Sequence, residues 1–227
     1  MSRPIRRRSS AQSGAEFRAR LSGEGEEFGS PLHEERLDAV TECIRASGAS
    51  SVLDLGCGSG ALLRRLLAER QFTRIVGIDT SFEGLVLAER LKDSSPGKPE
   101  RLSLRHGSFT DSDEGLTGFD AAAMVETIEH IPPAHLSRVE RAVFNRMRPR
   151  LVVMTTPNRD YNERYGIAGD DLRHVDHHFE WGRSKFEGWA RGLAGRNGYD
   201  VTFQSIGPAD AWLGGPTQMA IFRQAQG

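Results

Sequence analysis

"SVLDLGCGSGALLRRLLAER", residues 51–70, joins a short apolar run, a glycine turn and a leucine-striped segment without a break. Residues 51–55 are nearly continuous in apolar side chains, as expected of a strand covered on both faces. Gly56, Gly58 and Gly60 follow, and glycine lets a backbone turn tightly and lie against a ligand without interference from Cβ. The leucines of residues 61–70 then fall on one side of a helix. A strand that passes through a glycine turn into a helix predicts an α/β fold with a parallel sheet. Such sheets bind ligands at the carboxyl ends of their strands.

The same alternation runs outward in both directions. Residues 31–47 place Leu32, Leu37, Val40 and Ile44 at near-helical spacing, with Gly48 as a stop. "RIVGID" (74–79) is a second strand, and residues 81–93 a second helix opened by Ser81 as N-cap. "RLSLRHG" (101–107), "FDAAAMVE" (119–126) and "LVVMTTP" (151–157) read as strands three to five. A helix over 184–196 precedes "YDVTFQSI" (199–206) and "TQMAIFRQ" (217–224), a last pair close enough to be antiparallel neighbours. The expectation is a mostly parallel seven-stranded sheet with helices on both faces and an antiparallel last strand. Residues 31–227 form this one domain, and residues 1–30, rich in Arg, Ser, Gly and Glu, form a flexible tail.

Composition narrows the function classes. No apolar run approaches the roughly 18 residues of a membrane span, and the N-terminus has no apolar secretory stretch, so a cytoplasmic protein without a membrane partner is expected. Two cysteines, Cys43 and Cys57, give neither a disulfide framework nor a zinc spacing. A net charge of -1 argues against a wide basic face that coats nucleic acid, and leaves room for local grip on one terminus.

Asp54, just before the turn, can accept a hydrogen bond from an ammonium group or from the loop backbone. Asp79 ends the second strand 21 residues after Gly58, where a carboxylate can accept both hydroxyls of a ribose. This part of the chain resembles the Rossmann-like class I S-adenosylmethionine-dependent methyltransferases. The resemblance implies that Asp54, Gly56, Gly58 and Gly60 hold the amino-acid end of S-adenosylmethionine and that Asp79 holds its ribose. In "HGSFTDSD" (106–113), Ser108, Phe109 and Asp111 are candidates for an adenine contact; a plain turn explains them equally well.

"MVETIEHIPPAHL" (124–136) puts two glutamates and a histidine where the fourth strand ends. If the chain turns helically there, Glu126, Glu129 and His130 share a face. Two carboxylates and an imidazole converging beside a pocket repel or raise each other's pKa unless a cation sits between them; a solvated turn is the alternative. "RHVDHHFEW" (173–181) adds three histidines within five residues. One of them would complete a mixed oxygen and nitrogen site suited to Mg²⁺, Mn²⁺ or Co²⁺.

Together, E-x-x-E-H, TPN-x-x-YN (156–162) and R-x-x-DH-x-FEW resemble the Hua-enhancer family of small-RNA 3′-terminal ribose 2′-O-methyltransferases, over about residues 32–225. The resemblance implies a Mn²⁺- or Mg²⁺-dependent enzyme whose metal ligands and catalytic residues are Glu126, Glu129, His130 and His177. It implies an RNA 3′ end with free 2′- and 3′-hydroxyls as substrate, with Arg159, Tyr161, Asn162 and Arg173 as candidate RNA contacts. Phe179 and Trp181 stack on the terminal base or pack in the core. Asp160 stands where the family more often has glutamate, and Gly182 where threonine is usual. Bacterial members that repair RNA carry a further N-terminal half that engages a kinase-phosphatase-ligase, so that partner is expected here through a separate chain. Two other readings compete. One is a catechol-type small-molecule O-methyltransferase, whose substrate is also a vicinal diol; the other is an inactive RNA-binding module of the same fold.

Overall fold

The computed structural model describes residues 30–93, 99–111, 114–167 and 169–225, so the expected tail lies outside the described residues except for Ser30. Strands β1 (Ser51–Leu55), β2 (Arg74–Asp79), β3 (Leu102–His106), β4 (Ala121–Val125) and β5 (Leu151–Pro157) are parallel. The chain closes with β6 (Tyr199–Ile206) and β7 (Thr217–Gln224), and β7 inserts antiparallel between β5 and β6. The sheet order is β3-β2-β1-β4-β5-β7-β6.

Because side chains alternate across a strand, the apolar runs feed two cores at once. Val52, Ile75, Ala121, Ala123 and Val153 face α1 (Pro31–Ala46), α2 (Ala61–Ala68) and α3 (Phe82–Asp93). Leu53, Leu55, Ala122, Met124 and Met154 face the opposite layer. That layer holds α4, which starts at Leu136–Val139 and continues as a π-helix over Glu140–Met147, and α5 (Arg183–Asn197). Each fully covered Leu, Ile or Phe stabilises the fold by about 1.5–3 kcal/mol, before the entropy of ordering the chain is set against it. Local signals agree with this packing. Ser30 caps α1 by accepting from the His33 N–H, and Ser81 caps α3 by accepting from Gly84.

The strand order reverses between β1 and β4, which makes their carboxyl ends the switch point of the sheet. The glycine turn leaves β1 there and the E-x-x-E-H turn leaves β4 beside it. The two turns touch: the Thr127 hydroxyl donates to the Leu55 carbonyl at 3.2 Å. A Cβ on Gly56 would lie 2.7 Å from Thr127 Cγ2, so glycine is required there for contact as well as for its φ of +87°.

Candidate active site

A cleft of about 980 Å³ opens at the switch point, between the glycine turn with Asp54 and a wall carrying Glu126, His130 and His177. Asp54 is 2% exposed, and its Oδ2 has no hydrogen-bond partner. Burial, and then the nearby Asp79, push its carboxyl up to about 7. A buried carboxylate with nothing to accept from is matched by a ligand that brings a cationic donor. Gly58 has open space above its Cα, unlike Gly60, where a Cβ would strike Leu91. Asp79 stands behind the turn: its carboxylate accepts from the Gly58 and Ser81 N–H groups at 2.7 Å each. It thereby orders the loop, and each oxygen keeps a second lone pair for a hydroxyl.

The second wall is built from three segments. Glu126 takes a left-handed conformation, φ +49°, so the chain does not turn helically from it as the spacing predicts. A single 3-10 turn, Ile128–His130, carries Glu129 and His130. The three side chains therefore do not share one helical face; Glu126 approaches from the strand end and the other two from the turn. The next segment lies far along the chain. One ligand atom each from Glu129, His130 and His177 all fall within 4.8 Å of one another. The His178 N–H donates to the Glu129 carbonyl at 2.8 Å and seals the two segments together.

Electrostatics favour a cation at this point. Glu129 is fully buried, and burial first and Glu126 second push its carboxyl well above the usual range. One oxygen of Glu129 accepts from the Thr156 hydroxyl at 3.0 Å, while Oε1 of Glu129 and Oε1 of Glu126 have no partner. Partial desolvation at the cleft wall, and then the neighbouring His177, hold His130 below its usual value, which favours the neutral form that ligates metals. His177 Nδ1 is 2.7 Å from Glu180 Oε1; a proton shared there leaves Nε2 as the free lone pair. Burial raises the Glu180 carboxyl, but hydrogen bonds from His177, Asn162 and the Arg173 N–H outweigh it and hold it below its usual range. These donor types, with two orphaned carboxylate oxygens, fit a divalent ion of the Mn²⁺ or Mg²⁺ kind.

Comparison with known proteins agrees with the fold. A methyltransferase domain family matches residues 53–152. The solved methyltransferase domain of bacterial CtHen1 is 38% identical, with 85% of this chain and 99% of that chain covered at a TM-score of 0.76. The chain belongs to the Hen1 methyltransferase family. The solved small RNA methyltransferase HEN1 is 32% identical at a TM-score of 0.80, over 86% of this chain and 26% of that one. The small RNA 2′-O-methyltransferase of Rattus norvegicus is 33% identical over 210 residues, 88% of this chain and 53% of that protein. The chain thus spans about half the length of that curated relative.

Within this Hen1-family domain the predicted residues sort by position. Gly56, Gly58 and Asp54, and the metal candidates Glu126, His130 and His177, line one cleft, with Glu129 buried directly behind it; Gly60 instead packs against Leu91. Ser108 is tied into its own turn with Thr110, 2.8 Å between the hydroxyls, and Phe109 is buried in the core. Tyr161 and Asn162 are buried. Asn162 and Arg173 support His177 from beneath, and Arg173 also lines the cleft: Arg173 donates to Asn162 Oδ1 and to the carbonyls of Pro216 and Asn158. Arg159 is exposed enough to meet a phosphate and pairs with Asp170 at 2.7 Å. Phe179 and Trp181 lie in the core, ring centroids 4.4 Å apart.

Sequence reasoning missed Arg36 and Glu180. Arg36 is 6% exposed, lines the cleft, sits 3.3 Å from Glu126 and donates to Thr217. The signal was present: Arg36 stands four residues after Leu32 and four before Val40, inside the apolar stripe of α1. Glu180 was in view as part of a motif, without a role.

Proposed function

We propose that the domain transfers a methyl group from S-adenosylmethionine to the 2′-hydroxyl of the 3′-terminal nucleotide of an RNA, with Mn²⁺ or Mg²⁺ bound at the second wall. The observation that carries this reading is the convergence of Glu129, His130 and His177 at one wall of the glycine-turn cleft. A methyl donor and a chelatable diol would meet there. Asp54 pairs with the donor's ammonium, Gly58 lets its carboxyl end lie on the backbone, and Asp79 accepts from its ribose while holding the turn.

Glu126, Glu129, His130 and His177 would hold the cation. When bound, it supplies Lewis-acid chemistry at a vicinal diol, easing loss of the 2′-hydroxyl proton. The chain's residues otherwise orient. Arg36 fixes the Glu126 carboxylate, Thr156 fixes one oxygen of Glu129, and Glu180 fixes the ring of His177. In the transfer one C–S bond breaks, one C–O bond forms and one proton leaves the hydroxyl. Holding the sulfonium carbon and the 2′ oxygen in line removes much of the entropic barrier. A terminal phosphate would block the diol, so a phosphatase activity must act first on phosphate-ended RNA. The kinase-phosphatase-ligase partner is part of this proposal for that reason.

The test is methyl transfer from labelled S-adenosylmethionine to short RNAs ending in 2′,3′-diol, 2′-deoxy or 3′-phosphate, with and without Mn²⁺. Label on the diol end alone, and only with metal, is the expected result. Label on a catechol with none on any RNA would replace the reading by small-molecule methylation.

A further inference from the structure

The loop between β6 and β7 displays one tryptophan. Trp212 is 85% exposed, while the loop around it is held tightly. Single exposed apolar residues are ordinary on protein surfaces; a rigidly presented indole beside an active-site cleft is less so. Asp210 Oδ1 accepts from the Trp212 and Leu213 N–H groups at 2.8 and 3.0 Å, and its Oδ2 from Arg164. Backbone bonds link Asp210 and Gly214 in both directions at 2.9 Å. Arg183 donates to the Trp212 carbonyl. The backbone on either side of Trp212 is therefore fixed before any partner arrives, and the entropy of ordering that stretch is already spent.

The same loop is part of the cleft. Gly207 and Pro208 line it, and Pro208 is four residues from Trp212, at most about 14 Å of chain. On the other side of the loop, Asn158 donates to the carbonyls of Leu213 and Gly215 at 2.8 Å each. Asn158 follows Pro157, another residue of the cleft wall, and Arg173 of that wall donates to the Pro216 carbonyl. Arg164, paired with Asp210, and Arg183, which holds the Trp212 carbonyl, are both exposed and belong to the same loop network.

We infer that Trp212 is a stacking platform for a base of the RNA upstream of the terminal nucleotide, with Arg164 and Arg183 facing the adjoining phosphates. An aromatic face binds any base, and flanking guanidinium groups suit a single strand entering the cleft. Such a contact accepts many sequences and favours an RNA end over a lone nucleoside. The inference rests on the RNA reading above.

The experiment measures binding of 12-nucleotide single-stranded RNAs with a free 3′ diol, in the presence of S-adenosylhomocysteine, to the wild-type chain, Trp212→Ala and Trp212→Phe. Each RNA carries one abasic position at the second, third or fourth nucleotide from the 3′ end, or none. Trp212→Ala should weaken binding of the intact RNA by about 5- to 150-fold, the range for one base-aromatic stack, with donor affinity and melting temperature unchanged. Trp212→Phe should keep most of the affinity. One abasic position should cost the wild type a similar factor and cost Trp212→Ala nothing further. If wild type methylates RNA while Trp212→Ala binds within twofold of it, or if the two losses add in full, the stacking role is overturned and the indole belongs to a protein contact. If wild type neither binds nor methylates any RNA, the functional reading falls and takes this inference with it.

Discussion

Replacing Asp54 by asparagine should stabilise the ligand-free domain at pH 8 while removing its hold on the donor. Asp54 is buried, and its carboxyl is pushed from 3.8 to about 7 by desolvation and then by Asp79. Between those two values the native state keeps a proton that the unfolded chain has released, so stability falls as pH rises through that window and levels off above it. Each pH unit inside the window costs about 1.4 kcal/mol, so this group costs the wild type about 3 kcal/mol more at pH 8 than at pH 5. The amide has nearly the same shape and no charge. Its own unmet hydrogen bonds cost about 1–3 kcal/mol at every pH. Urea unfolding of both proteins at pH 5, 6, 7 and 8 isolates the group, because other titrating residues cancel in the difference. That difference should move in favour of Asp54→Asn by about 1.4 kcal/mol per unit from pH 5 to 7 and then stay flat. Calorimetry should show wild-type affinity for S-adenosylmethionine rising over the same interval, as Asp54 ionises beside the ammonium group, and weak binding by the variant throughout. A stability difference that does not change with pH would refute the reasoning, because it would mean that Asp54 is ionised in the free domain.

Two further changes test the second wall. Glu180→Gln removes the carboxylate under His177 and should lower Mn²⁺ affinity by about 10- to 100-fold in a calorimetric titration; unchanged affinity would separate Glu180 from the metal. Arg36→Met leaves the partly buried Glu126 without its cation and should cost up to about 3 kcal/mol in the metal-free domain. Because Mn²⁺ can take over the neutralising role, its addition should raise the melting temperature of Arg36→Met more than that of the wild type. Equal increments would show that Arg36 and the ion do not serve the same carboxylates.

What could be read from the chain followed the range of the interactions involved. The strands, their helices and the glycine turn announce themselves within about ten residues each, because periodicity and turn chemistry are local. The alternation of Leu53 and Leu55 against Val52 and Asp54 already contained the two-faced sheet. Roles that depend on a distant partner were hidden. Asn162 carries a polar end that suits an RNA contact, and only the fold shows it turned inward to brace Glu180, with Arg173 holding Asn162 from the cleft wall. Glu126 has the spacing of a helical residue, yet its amide is drawn to the Thr155 carbonyl and hydroxyl at the neighbouring strand end, which leaves it at positive φ.

Asp160 and Gly182 show the same limit from the other side. As single positions they are two unrelated departures from the Hen1 pattern, 22 residues apart in sequence. In the structure they are one feature. Gly182 is the N-cap position of α5 and has no side chain to cap it; Asp160 Oδ2 accepts from the Arg183 N–H at 2.9 Å instead. A Cβ on Gly182 would lie 2.1 Å from Asp160 Oδ1, so the carboxylate occupies the space that a threonine would need. A threonine at 182 could cap α5 itself and would require residue 160 to withdraw, as a longer glutamate has the reach to do. Each departure is thus explained by the other: the cap has moved from the start of the helix to the segment that follows β5, and the helix keeps its N-terminal hydrogen bond.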